Sequence, residues 1–132
     1  MKIATLIARL LLGLVFFAAG ISSFIMTGLG KMPPPTPGYA GDFQNVVFGS
    51  HFVLFASAVQ AVGGILLLIG RYVPLALVAL AAVLYNILAF HLTMQPLMIF
   101  PGLVLVVLWI VVARAYRANL LPLLAARPPT SV

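Results

Sequence analysis

The sequence predicts an all-α, polytopic membrane protein: a bundle of four transmembrane helices with both termini on the cytoplasmic side. Three observations carry that expectation. The chain is 64% hydrophobic, with a mean hydropathy of +1.26. Its apolar residues fall into four long blocks with no periodic polar face. Seven Lys and Arg stand against a single acidic residue, Asp42, and the cations gather near the block ends. A helix needs about 20 apolar residues to cross the hydrocarbon core, where only helices and closed barrels satisfy their backbone polar groups. The blocks at residues 3–29, 48–70, 72–94 and 97–115 meet that length, and an outer loop spans 30–47. They form one domain, residues 1–120, followed by a cytoplasmic tail, residues 121–132, that Pro128-Pro129 should leave largely disordered.

In the first block, Lys2 and Arg9 precede Leu10-Leu11-Leu12 and small residues follow at Ala18-Ala19-Gly20, an arrangement shared with cleaved signals. The apolar run continues to Leu29, beyond a signal core, so an uncleaved helix is expected. The outer loop carries Pro33-Pro34-Pro35 and Pro37-Gly38, which forbid regular helix there, and then residues 42–48, which read as a turn leading into the second span with Asp42 as its N-cap. A partner salt bridge or proton handling is the functional alternative for Asp42. Pro74 and Pro96 suit the first turns of the third and fourth spans, where a missing N–H is harmless, and Pro101 is placed to kink the fourth. With four spans, Lys2, Arg9, Arg71, Arg114, Arg117 and Arg127 share one side and only Lys31 lies opposite. The positive-inside rule then puts both termini in the cytoplasm and the 30–47 loop and Gln95-Pro96 turn outside, with Tyr72 and Tyr116 at the inner interface and Tyr39 at the outer.

Composition excludes several function classes. The chain has no cysteine, which removes thiol redox chemistry, thiolate nucleophiles and Cys-ligated metals. The net charge of +6 is spread thinly near span ends, which fits topology and anionic lipid headgroups and gives no nucleic-acid interface. Two histidines and a distant Asp42 are too few donors for a zinc site, and no metal is expected. A bis-histidine haem is disfavoured because both histidines lie near one surface. The serines lack a base and an orienting partner.

Small and polar residues at helical spacing mark the expected packing faces: Gly13, Phe16, Gly20 and Ser23 in the first span, Ser50, Val53, Ser57, Gln60 and Gly64 in the second, Ala76, Ala79, Val83, Asn86 and Phe90 in the third. The structural reading of Gln60 and Asn86 is interhelical glue. His51 and His91 both fall in the outer half of the membrane, where ionisable side chains often mark ligand or proton pathways. Histidine also titrates near neutral pH. The structural alternative for each is a hydrogen bond to a loop carbonyl or a place at the headgroup level. Asn86 and His91 are five residues apart, about 140° around an α-helix, so both line one site only if it wraps the helix or the helix is irregular.

The run from Gly63-Gly64 through Gly70-Arg71-Tyr72-Val73-Pro74 to Asn86-Ile87-Leu88-Ala89-Phe90-His91-Leu92 resembles DoxX-type membrane proteins, as does the opening Arg9-Leu10-Leu11-Leu12-Gly13-Leu14-Val15-Phe16. The similarity follows nearly the whole chain in order and departs at Ser22-Ser23, where relatives often carry Lys or Asn. The resemblance implies a four-helix bundle in a bacterial cytoplasmic (inner) membrane. Relatives include quinone-reducing membrane subunits of thiosulfate oxidation and a member that joins detoxifying enzymes in a membrane redox complex.

Two readings of function follow. In the first, the chain is a redox-linked subunit that binds a quinone or similar apolar ligand in the outer half of its bundle, with His91 and Asn86 on the quinone oxygens and Gln60 or His51 supporting. The residues supply an apolar slot and a few donors. A partner oxidoreductase provides the electrons, since the chain has no thiols of its own. In the second, the chain is a non-catalytic scaffold or assembly factor for a membrane complex, acting through a protein partner or as a homo-oligomer. A small-solute carrier is disfavoured, because the spans do not divide into two similar halves.

Overall fold

A computed structural model describes residues 2–130. The described residues are helical throughout their ordered elements: α1 (Ile3–Gly28), α2 (Tyr39–Gly49), α3 (Val53–Ile69), α4 (Val73–Met94), α5 (Phe100–Ala115) and α6 (Arg117–Leu120), with short 3-10 turns at Pro96–Met98 and Leu121–Leu124. α1 and α4 are each long and apolar enough to cross a membrane. α2 with α3, bent by 83°, and α5 with the segment to Leu124, bent by 85°, bring the number of possible spans to as many as four. Packing is cyclic, α1 against α3 and α5, and α4 against α3 and α5. One end of the packed helices carries Lys2, Arg9, Arg71, Arg114 and Arg117 and is called the basic end; the other, with α2, is the loop end.

The tightest seam joins α1 and α3. A methyl on Gly20 would stand 2.6 Å from both Ala61 N and Ser57 O, and one on Gly64 would stand 2.5 Å from Phe17 N, so backbone meets backbone with no room for a Cβ. That contact explains why the small-residue rows in these two helices are buried at Gly13, Gly20, Ser57 and Gly64. The remaining core packs through side chains: Leu12, Phe16, Leu67, Val73, Ala76, Leu77, Leu80, Leu84 and Val112 form one buried cluster. Trp109 crosses from α5 to donate its Nε1–H to the Leu77 carbonyl at 2.9 Å, which fixes the α4–α5 register.

Several boundaries differ from the sequence expectation. The region expected as outer loop contains α2, and the second long helix begins at Val53 instead of residue 48. Gly49, Ser50 and His51 break the two apart: His51 takes φ 63°, and Ser50 Oγ accepts the Phe52 N–H at 3.4 Å. Asp42 is not an N-cap. Gly38 holds that position, and Asp42 lies in the first turn of α2, where a negative charge still complements the helix dipole. Pro101 produces no kink, since α5 starts at Phe100 and the proline occupies its first turn. Pro74 begins α4 in the expected manner. Beyond Ala115 the chain continues as α6 and a 3-10 turn to Leu124; residues 131 and 132 of the tail expected to be disordered lie outside the described residues.

Candidate functional site

At the loop end, α2 lies against the last turns of α4. Phe43 meets Phe90 with ring centroids 5.6 Å apart, and Phe90 meets the His91 ring edge-on at 5.3 Å. Beside this aromatic row is an open, largely apolar depression of about 510 Å3 lined by Tyr39, Asp42, Phe43, Val46, Thr93 and Met94. The Thr93 hydroxyl donates to Ala89 O at 2.8 Å, so towards the depression it offers only lone pairs.

His91 is half-buried, with its ring beside Gly102 of α5. Its Nδ1 lies 3.4 Å from the Gln95 carbonyl. A carbonyl only accepts, so in this contact Nδ1 carries the proton and the neutral ring presents Nε2 as an acceptor. Among the described residues Nε2 makes no hydrogen bond.

The four sequence candidates do not converge. α4 is continuous α-helix from Val73 to Met94, so Asn86 and His91 diverge as the helix geometry requires. Asn86 is exposed on the outer face, its Nδ2 donating to Ala82 O at 2.9 Å. Gln60 is half-buried on α3, and His51 is exposed at the α2–α3 break. Among the described residues no hydrogen bond or ring contact joins any two of them. Phe90 and Gly102, which lie against His91, and Phe43, which meets Phe90, were not site candidates from sequence, because aromatic and small residues are common everywhere in this chain. One signal was available: Phe90 precedes His91 in the run Ala89-Phe90-His91.

The basic end has its own feature, also unmarked in sequence. Arg9 is half-buried, with its guanidinium packed over Gly70, which ends α3 in the left-handed conformation at φ 71°. A cation against a helix C-terminus is favourable, and the Arg9 Nε is buried without a hydrogen-bond partner among the described residues.

A chain of long apolar helices, with its few charged groups gathered towards the two ends, is a multi-pass membrane protein. The DoxX family model matches residues 4–95, from α1 to the end of α4. The chain belongs to the DoxX family. No curated protein and no solved structure matches it.

Proposed function

We propose that this DoxX-family protein is a redox-linked membrane subunit that binds a quinone or similar apolar ligand at the loop end, beside His91, and works with a partner oxidoreductase. The observation that carries the reading is the aromatic row that runs from a half-buried histidine with a free Nε2, through Phe90, to Phe43 on the wall of an open apolar depression. Such a site offers apolar walls with a small number of polar groups, the usual composition of a cofactor pocket. A quinone supplies a two-electron, two-proton couple. His91 Nε2 takes a proton from a hydroxyl oxygen in its neutral state and returns it to a carbonyl oxygen in its protonated state. Electrons come from the partner, since the chain has no thiol. Asn86 faces outward from α4, and Gln60 and His51 stand apart on α3 and at the α2–α3 break, so in this reading His91 carries the polar contact to the ligand.

The proposed orientation has four spans in a bacterial inner membrane, with both termini cytoplasmic and α2 lying along the outer interface. It is supported by the charge asymmetry: Lys2, Arg9, Arg71, Arg114, Arg117 and Arg127 against Lys31. α3 has 17 residues, about 26 Å at 1.5 Å per residue, and the break at His51 lets the chain leave the core and turn along the interface.

The test is quinone extraction and native mass spectrometry on protein purified gently from its own membrane, comparing wild type with His91→Ala. Co-purifying quinone that is lost in a folded His91→Ala protein supports the reading. Quinone retained at the wild-type level in that variant removes it.

One observation favours a second reading, a scaffold for a membrane complex. The exposed Asn86 leaves its carbonyl oxygen on the outer face of a membrane-spanning helix, and an amide there is best satisfied by a neighbouring helix.

A further inference from the structure

The basic end holds a second cavity, about 540 Å3, between the start of α1 and the end of α5. Lys2 and Arg114 stand on its rim, buried Thr5 and half-buried Tyr116 form the polar part of its wall, and Val111 and Ala115 form the apolar part. Among the described residues neither cation has an ion-pair partner, and the one side-chain carboxylate, Asp42, lies at the opposite end of the helices. Two cations converging on a concave site without a counter-charge call for an anion with several acceptor oxygens.

The segment that leaves this cavity identifies the source of the anion. Tyr116 lines the cavity and also precedes α6, where the chain turns by 85°. Tyr116 and Leu120 pack on the core, while Leu121, Leu123 and Leu124 are exposed by 60%, 65% and 80%. A short segment that crosses the end of a membrane helix, with a cation at its start and bare leucines beyond, matches the headgroup–acyl boundary. A free phosphate would need only the cations. A phospholipid also uses Val111, Ala115 and the leucines.

We infer that the Lys2–Arg114–Tyr116 cavity binds the phosphate of an anionic phospholipid, with the Leu121–Leu124 turn seated on the adjoining acyl chains. This site is independent of the one beside His91.

The experiment is native mass spectrometry of the full chain released from nanodiscs of phosphatidylcholine containing a minor fraction of phosphatidylglycerol. Lys2→Gln/Arg114→Gln is compared with Arg71→Gln/Arg127→Gln, which removes the same charge outside the cavity. At about fivefold for each cation, the cavity variant should retain phosphatidylglycerol about 25-fold more weakly, a clearly larger loss than in the control, whose two cations lie outside the cavity. Equal losses in both variants, or no loss in the first, overturn the site in favour of diffuse surface charge. Inorganic phosphate that displaces phosphatidylglycerol from the wild type overturns the lipid assignment in favour of a soluble phosphate ligand. Lys2 is exposed, so if the double variant fails to fold, Lys2→Gln alone carries the test, with about a fivefold loss expected.

Discussion

Gly20→Ala and Gly64→Ala test the α1–α3 seam on which the rest of the packing depends. At Gly20 the added methyl would lie 2.6 Å from Ala61 N and Ser57 O, and at Gly64 it would lie 2.5 Å from Phe17 N and 2.7 Å from Gly13 O. These neighbours are backbone, so no rotamer change relieves the clash, and the two helices must separate by about 1 Å to restore ordinary contact. A gap of that size forfeits a quarter to a half of each contact's dispersion energy, so about 40 atom pairs along the seam lose about 1.5–3 kcal/mol. The gain in helix propensity from Gly to Ala returns about 1 kcal/mol, leaving each variant about 0.5–2 kcal/mol less stable. Because one separation of the helices accommodates both methyls, the double variant should lose clearly less than the two singles added together. Reversible unfolding in mixed detergent micelles measures all three, with Gly28→Ala, which meets nothing within 4 Å, as the control. Single variants as stable as that control, or strictly additive losses, would refute a backbone-to-backbone seam.

Three further outcomes are expected. Trp109→Phe removes the Nε1–Leu77 O hydrogen bond while keeping most of the ring, and should destabilise the protein by about 0.5–1.5 kcal/mol in the same assay; a wild-type value would mean the bond does not hold the α4–α5 register. Gly70→Ala forces a side chain into the left-handed region against Arg9 and should lower stability by at least about 1 kcal/mol, read as a lower unfolding midpoint. The chain has no cysteine, so single cysteines at Thr36 and Arg127 report orientation directly. A membrane-impermeant maleimide should label the Thr36 variant in intact cells and the Arg127 variant only after permeabilisation, and the reverse pattern would invert the topology.

How far the sequence could be read depended on what each helix packs with. α1 and α4 end within a residue of their expected limits, because unbroken apolar runs bounded by Gly, Arg-Tyr and Gln-Pro leave the backbone no alternative in an apolar medium. The small-residue rows identified the α1–α3 faces, since close backbone approach admits nothing larger than Gly, Ala or Ser. The same reasoning found only part of the face of α4. Ala76 and Val83 of the expected row pack inward, but Asn86 is exposed, and the buried stripe runs through Val73, Ala76, Leu77, Leu80 and Leu84, with Leu80 filling the space over Gly63. α4 packs through large side chains, and a helix apolar on every side carries no amphipathic signal to show which stripe is inside. The α2–α3 break was hidden for a related reason. Phe48 and Phe52 flank the short Gly49-Ser50-His51 run and carry the apolar pattern across it, and the positive φ at His51 with the Ser50 Oγ contact to the Phe52 N–H marks the turn.

The regularity of α4 makes the two readings of function separable. Asn86 faces outward and the half-buried His91 lies beside α5, so one substitution at each site addresses one reading without touching the other. Asn86→Leu removes the exposed amide and leaves the His91 ring, its Gln95 contact and the Phe43–Phe90 pair in place. If a neighbouring helix docks on that amide, this variant should lose its co-purifying partner or its self-association while retaining quinone. His91→Ala should do the opposite. The double variant should show the two losses independently, because the residues share no contact. A result in which either single substitution removes both quinone and partner would mean that the ligand sits in the seam between α4 and the docking helix, and the site would then belong to the complex and not to this chain alone.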